Sequence, residues 1–253
     1  ASQALHRHGF ECAAVSEIEP HPCAVLAHHF GASRPWNMPN PEDVPTHDAE
    51  GNPRAPKLIE KERKARAAAI KAMLGIPSGN QIPNFGDMSR FQEWPDADYD
   101  ALFGGTPCQS FSVAGLRQGL DDPRGNLMLT FGAIAARYRP RWLCWENVPG
   151  VLSSEGGRDF ASFLGLITGR SIVPPPEGWQ NSGIISGIAD AYGVAWRVLD
   201  AQHVRTRSKR RAVPQRRRRV FLVGYLGDWT RAAAVLFDAE SLRRDPPPRR
   251  EAG

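Results

Sequence analysis

Residues 99–104 read Tyr-Asp-Ala-Leu-Phe-Gly, and residues 126–146 read Asn-Leu-Met-Leu-Thr-Phe-Gly-Ala-Ile-Ala-Ala-Arg-Tyr-Arg-Pro-Arg-Trp-Leu-Cys-Trp-Glu. The first is a short apolar run into Gly104-Gly105, the pattern of a buried strand that ends in a loop. The second puts Leu127, Phe131, Ile134 and Tyr138 on one helical face over Asn126–Tyr138 and is stopped by Pro140. It then passes into a further apolar run, Arg141–Glu146. Strand, helix and strand in succession predict a sheet whose strands pair in parallel beneath the helix.

The same alternation extends both ways. Cys12–Ile18 predicts a buried strand, followed by a helix over Pro20–Phe30 with proline in its first turn. Phe160–Ile167 and Ile184–Tyr192 read as helices, and Ala195–Ala201 and Val220–Leu226 as strands. The expected fold class is α/β, a mostly parallel, doubly wound sheet with ligands at the carboxyl ends of its strands. Residues 35–57 are rich in Pro and Asn and lead into a charged helix, Leu58–Leu74. Residues 35–80 therefore read as an inserted helical segment without evident chemistry. Pro174–Gly178 reads as a loop, and from Asp228 the pattern fades into an Arg/Pro-rich tail. The expected division is a domain over 1–227 and a tail over 228–253.

Composition narrows the function classes. In 253 residues, 41% are hydrophobic and 23% charged, which excludes wholesale disorder. No stretch approaches 18 apolar residues, so no membrane span is expected, and the opening residues lack the basic start and apolar run of a signal peptide. Cys12, Cys23, Cys108 and Cys144 show no Cys-x-x-Cys spacing, so neither a disulfide scaffold nor a zinc site is expected. Reduced thiols and a cytoplasmic location follow as the expectation. Charge is uneven. Residues 203–219 carry nine Lys/Arg and no acid, while residues 1–202 carry 18 Lys/Arg against 22 Asp/Glu. Such a block is the footprint expected where a phosphate backbone passes, with a solvated basic face or a localisation tract as the lesser reading of charge alone.

Three places hold candidate chemistry. The run Gly104-Gly105-Thr106-Pro107-Cys108-Gln109-Ser110-Phe111-Ser112 puts a thiol just past a strand end, where a nucleophile projects into a cleft. Trp145-Glu146-Asn147-Val148-Pro149 puts a carboxyl at the end of the strand Arg141–Glu146, placed to hold or deliver a proton near neutral pH. Gln215-Arg216-Arg217-Arg218-Arg219 precedes the strand Val220–Leu226. Alternation predicts Arg217 and Arg219 on one face, and Arg216 and Arg218 on the other.

Pro107-Cys108-Gln109, Glu146-Asn147-Val148 and Gln215-x-Arg217-x-Arg219 stand in the order and at roughly the spacing of the best-marked motifs of the C5-cytosine DNA methyltransferases. The chain resembles the bacterial or prophage members of that family. Further matches are Ser16-Glu17-Ile18, Gly86-Asp87-Met88, Pro123-Arg124-Gly125-Asn126-Leu127 and Val198-Leu199-Asp200-Ala201, so the resemblance covers nearly all of residues 1–226. It implies a Rossmann-like S-adenosylmethionine-dependent methyltransferase fold and a flipped-out cytosine in double-stranded DNA. Cys108 would attack C6, Glu146 would sit against N3 and the exocyclic amine, and Arg219 would contact O2 with Arg217 in support. Asn147 would be a scaffold for the loop. For the cofactor, Glu17 would hold the ribose hydroxyls, Ile18 the adenine face and Asp87 the adenine amine, with Met88 and Leu127 beside them. Residues 110–124 resemble the mobile loop that closes over DNA, which puts Gln109, Ser110 and Ser112 against the nucleic acid. Arg205, Arg207, Lys209, Arg210, Arg211, Gln215, Arg216 and Arg218 would meet phosphates.

The resemblance implies no metal, a monomer, and a possible cognate restriction endonuclease. Two other readings stand beside it, a non-catalytic nucleic-acid-binding chain and a tRNA cytosine-5 methyltransferase. The family's opening Phe-x-Gly-x-Gly cofactor loop, its target-recognition region and its closing motif have no counterpart in these residues. The expectation is a chain truncated at both ends, with its unaided activity in doubt.

Overall fold

The computed structural model describes residues 5–6, 8–47, 52–106, 127–204 and 215–237. They fall into two compact units, the first within Ala1–Asp96 and the second from Ala97 onward. Each is described by itself.

The first unit is built on short parallel bridges, Val15 with Asn84, Ala32 with Ile82 and Asn37 with Gly86. The strand expected over Cys12–Ile18 is reduced to the single bridge at Val15, because only that residue's amide and carbonyl meet the 83–85 backbone. Helix α1 spans Pro20–Phe30 as expected, with Pro20 at its first position. Gly31 ends it at φ 67° in the left-handed region, and the amides of Gly31 and Ala32 close onto the Ala27 and Leu26 carbonyls. Helix α2 spans Pro56–Met73. Its inward side is fastened by Glu62, which accepts from Arg54 at 2.8 Å and from Arg66 at 2.7 Å. The Arg54 hydrogen bond, with Arg66 beside it, holds the Glu62 carboxyl below its ordinary range.

The second unit is a five-stranded sheet in the order β1-β2-β5-β4-β3. The strands are β1 (Ala101–Gly105), β2 (Trp142–Asn147), β3 (Ser182–Ile185), β4 (Tyr192–Asp200) and β5 (Arg218–Leu226). Helices α3 (Leu127–Tyr138) and α4 (Arg158–Thr168) cover one face, where Phe131, Leu143, Trp145, Phe163 and Leu222 are buried. Helix α5 (Trp229–Leu236) covers the other, where Ala232 and Leu236 pack with Ala195 and Val223. The sheet is thus α/β and covered on both sides.

Three expectations are corrected. The sheet was expected to be mostly parallel, yet among the described strands β1 with β2 is parallel and the other three ladders are antiparallel. β3 runs into β4 through residues 186–191, too short for a crossover helix, so this pair can only return antiparallel. The helix expected over Ile184–Tyr192 is instead the end of β3 and a tight return into β4. A Cβ on Gly187 there would stand 2.4 Å from the Tyr192 carbonyl oxygen. The Arg/Pro-rich tail expected from Asp228 begins with helix α5, capped by the Asp228 carboxylate on the Thr230 amide.

Candidate active site

In the second unit, β1 and β2 end side by side, with Gly105 paired to Glu146. Alternation along β2 sends Leu143 and Trp145 into the α3/α4 core and leaves Glu146 on the opposite face, half-buried. Gly105 brings no side chain to the same spot. A Cβ there would stand 3.1 Å from Glu146 Oε2, so this oxygen lies directly over the end of β1. The other oxygen, Oε1, accepts from Arg219 Nε at 2.9 Å, while an Arg217 amine lies 3.9 Å away. Both arginines come from the start of β5, which pairs Phe221 with Glu146. Two residues upstream of Phe221, Arg219 shares its face and reaches the carboxylate diagonally. Arg218 goes the other way, to within 3.4 Å of Asn181 Oδ1, and Gln215 and Arg216 are exposed.

The end of β1 is tied down. Trp145 Nε1 donates to Thr106 Oγ1 at 3.1 Å, and Asn147 Nδ2 donates to the Thr106 carbonyl at 3.0 Å. All three residues are buried. The last described residue before Pro107-Cys108 is therefore held from the same strand that carries Glu146. Asp200, at the end of β4, accepts from the Arg217 amide at 3.1 Å and sets the backbone from which Arg217 and Arg219 project.

The first unit holds a second set of acceptors. Asn84, fully buried, gathers two segments far apart in sequence. Its Oδ1 accepts from the Glu17 and Gly86 amides, both at 3.0 Å, and its Nδ2 donates to the Glu17 carbonyl at 3.1 Å. Ser16 adds a hydroxyl bond to the Gly86 carbonyl at 2.6 Å. Glu17 and Asp87 thereby follow directly on two hydrogen-bonded neighbours. Glu17 Oε1 accepts from the Ile18 and Glu19 amides at 2.8 Å, and Asp87 Oδ1 from the Ser89 amide at 2.9 Å. Among the described residues the other oxygen of each carboxylate makes no hydrogen bond, so each is oriented by its backbone and still able to accept from a hydroxyl or amine. Ile18 and Met88, both partly buried, flank the pair. Leu127 opens α3 in the second unit.

Of the residues expected from the sequence, Cys108, Gln109, Ser110, Ser112, Arg205, Arg207, Lys209, Arg210 and Arg211 lie outside the described residues. Asn84 and Thr106 were not anticipated. An Asn in Pro-Asn-Phe-Gly reads as a turn residue, and its partners at Glu17 are 67 positions away.

Two of the remaining cysteines are chemically quiet. Burial pushes the Cys23 thiol up to about 11, reinforced by the nearby Glu17 carboxylate. Burial likewise pushes the Cys144 thiol up to about 11. At pH 8 a thiol of this kind is roughly 0.1% thiolate, against about a quarter for an ordinary one. Brief iodoacetamide treatment of the folded protein at pH 8 is expected to leave Cys23 and Cys144 unmodified by peptide mass mapping. Labelling of either at the rate of free cysteine would show that burial does not govern them.

The second unit is thus an α/β sheet covered on both faces, with an arginine-clamped carboxylate at a strand end. Residues 78–167, a little over a third of the chain, match the family model of the C-5 cytosine-specific DNA methylases. The chain is 36% identical over 206 aligned residues to the DNA N-6-adenine-methyltransferase of Escherichia phage P1, covering 67% of this chain and 26% of that protein. It is 31% identical over 147 residues to the type II methyltransferase M.NgoBV of Neisseria gonorrhoeae, covering 58% of this chain and 30% of the relative. A crystal structure described as a prophage-encoded DNA modification methyltransferase of E. coli aligns with 20% identity and a TM-score of 0.33, over 57% of this chain and 34% of that one. The chain thus spans less than a third of the length of these curated relatives. Among the described residues no helix is long and apolar enough to cross a membrane.

Proposed function

We propose that the protein methylates C5 of a cytosine flipped out of double-stranded DNA, with S-adenosylmethionine as methyl donor and residues 1–227 as the catalytic domain. One observation carries the reading. The Glu146 carboxylate, held by Arg219, overhangs the end of β1 at Gly105, three positions before Cys108 in the sequence.

Cytosine C5 is a poor nucleophile, so the ring must be activated first. The Cys108 thiolate adds to C6, forming a C–S bond and shifting the C5=C6 electron pair toward C5. Glu146 takes the N3 and amine edge, where a proton is passed to N3 as the electron pair arrives and returns to the carboxylate when the adduct collapses. Arg219 takes O2, and Arg217 stands beside the same carboxylate oxygen in support. Bound S-adenosylmethionine supplies an electrophilic methyl group to C5. The C5 proton then leaves to solvent, its electron pair re-forms the C5=C6 bond, and the C6–S bond breaks to return the thiolate.

The first unit fits the cofactor. Ribose offers hydroxyl donors and adenine an amine donor. Glu17 and Asp87 each present an acceptor oxygen beside one already oriented by backbone amides, and the apolar Ile18 and Met88 follow them in the sequence. Leu127 is assigned to the same ligand from the resemblance. Gln109, Ser110, Ser112, Gln215, Arg216, Arg218 and the basic residues 205–211 are assigned to the DNA, so affinity falls steeply with salt.

The name of the phage P1 relative favours a second reading, transfer to the adenine N6 amine. That amine attacks with its own lone pair and needs no thiol adduct. The chain matches 26% of that protein, so the name need not describe the matched part. Duplex DNA containing 5-fluorocytosine separates the two, because fluorine at C5 cannot leave as a proton and the adduct persists. The expected result is a denaturation-resistant protein–DNA adduct that is lost in Cys108→Ser, with 5-methylcytosine as the product on ordinary DNA. N6-methyladenine as the product, or an undiminished rate in Cys108→Ser, would overturn the covalent reading.

A further inference from the structure

Helix α2 separates its charges by face. With 100° between successive residues, Lys57, Lys61, Lys64, Ala68 and Lys71 fall within an arc of about 80°. All five are exposed. The opposite side carries Ile59, Arg66, Ile70 and Met73, and Arg66 there is already engaged. Arg66 donates to Glu62 and to the Asn40 carbonyl, and Arg54 reaches over to the same Glu62. Across Pro56–Met73 there are six cations and two carboxylates, in a chain whose first 202 residues carry a net negative charge. Along the outer stripe one acid intervenes, Glu60. It pairs with Lys64 at 3.3 Å with both side chains well exposed, a contact worth little in water. An ordinary solvated face mixes both signs, whereas this one aligns a single sign along the helix.

We propose that this lysine stripe is a second grip on the DNA, binding its phosphates. The assignment rests on DNA being the substrate. From Lys57 to Lys71 the helix rises about 21 Å, the axial rise of roughly six base pairs at 3.4 Å each, so its four lysines can reach three to four phosphates. Ala68, in the middle of the arc, lets the sugar–phosphate chain approach the helix, while the flexible lysines act as point charges without base readout. The inserted segment then contributes affinity that is independent of sequence.

The test is anisotropy titration of a 5-fluorocytosine duplex over a salt series, with adduct formation measured on the same samples at saturating DNA. The variant carries Lys57→Gln, Lys61→Gln, Lys64→Gln and Lys71→Gln, exposed changes between residues of similar helix propensity. The slope of log K against log salt is expected to become shallower by about 3, from three to four phosphates at ~0.9 each. Adduct formation at saturation is expected to stay at the parent level. Glu60→Gln, which frees Lys64, is expected to tighten binding a few-fold at low salt. A parent-like slope in the quadruple variant would overturn the stripe while leaving the methyltransferase reading intact. Absence of an adduct from the parent protein would instead remove that reading, and the slope would still decide the stripe.

Discussion

Gly86→Ala is expected to destabilise the first unit by roughly 3–5 kcal/mol and to abolish measurable S-adenosylmethionine binding. Gly86 has φ 76°, a region that costs an alanine ~1–2 kcal/mol by itself. Its added Cβ would also stand 1.9 Å from the Asn37 carbonyl oxygen, and both partners are backbone, joined in a parallel bridge. The strain has no flexible side chain into which to relax, so the bridge must open. Opening it frees the amide that Asn84 holds and the carbonyl that Ser16 holds, and with them the placement of Asp87. Gly79→Ala is the control. Nothing lies within 4 Å of a Cβ at Gly79 and its φ is not positive, so it should be neutral or slightly stabilising. Denaturant unfolding and equilibrium dialysis of both variants check the claim. Equal stability and equal cofactor affinity would show that the Asn37–Gly86 bridge does not hold the cradle.

The parts of this fold that are legible in sequence are those decided locally. Helix α1 announces itself by Pro20 and Gly31, α3 by its apolar stripe and Pro140, and β2, β4 and β5 by apolar runs with distinct ends. Pairing direction is not local. β3 is four residues long and half exposed, and Ile184-Ile185 fits a helical face as well as a strand until Ala195 and Val194 are known to lie opposite. Helix α5 is hidden by the arginines and prolines after it, although Ala232 and Leu236 keep an i, i+4 stripe that buries against β4 and β5. At the site, alternation along the start of β5 anticipates that Arg217 and Arg219 reach one carboxylate while Arg218 turns away. Asn84 and Thr106 leave no such trace, because their roles consist of hydrogen bonds to partners brought near only by folding.

Arg219→Ala is expected to lower the single-turnover rate of methyl transfer by about 100- to 1000-fold, the usual cost of removing one preorganised donor. Duplex affinity should change by less than about tenfold, since one of many cations is lost. Arg217→Ala should cost less than about tenfold in rate, because its amine stands 3.9 Å from the carboxylate, where Arg219 stands at 2.9 Å. Glu146→Gln keeps the shape of the side chain and removes its charge and its proton acceptor, so the loss should equal or exceed that of Arg219→Ala. The double variant Glu146→Gln/Arg219→Ala decides between two roles for the arginine. If Arg219 acts through the carboxylate as well as on the base, the pair functions as a unit and the double variant falls little below the worse single one. If the two losses multiply, Arg219 acts on the base alone. A parent-like rate in Arg219→Ala would reduce the 2.9 Å contact to a surface ion pair and leave the site without its electrostatic anchor.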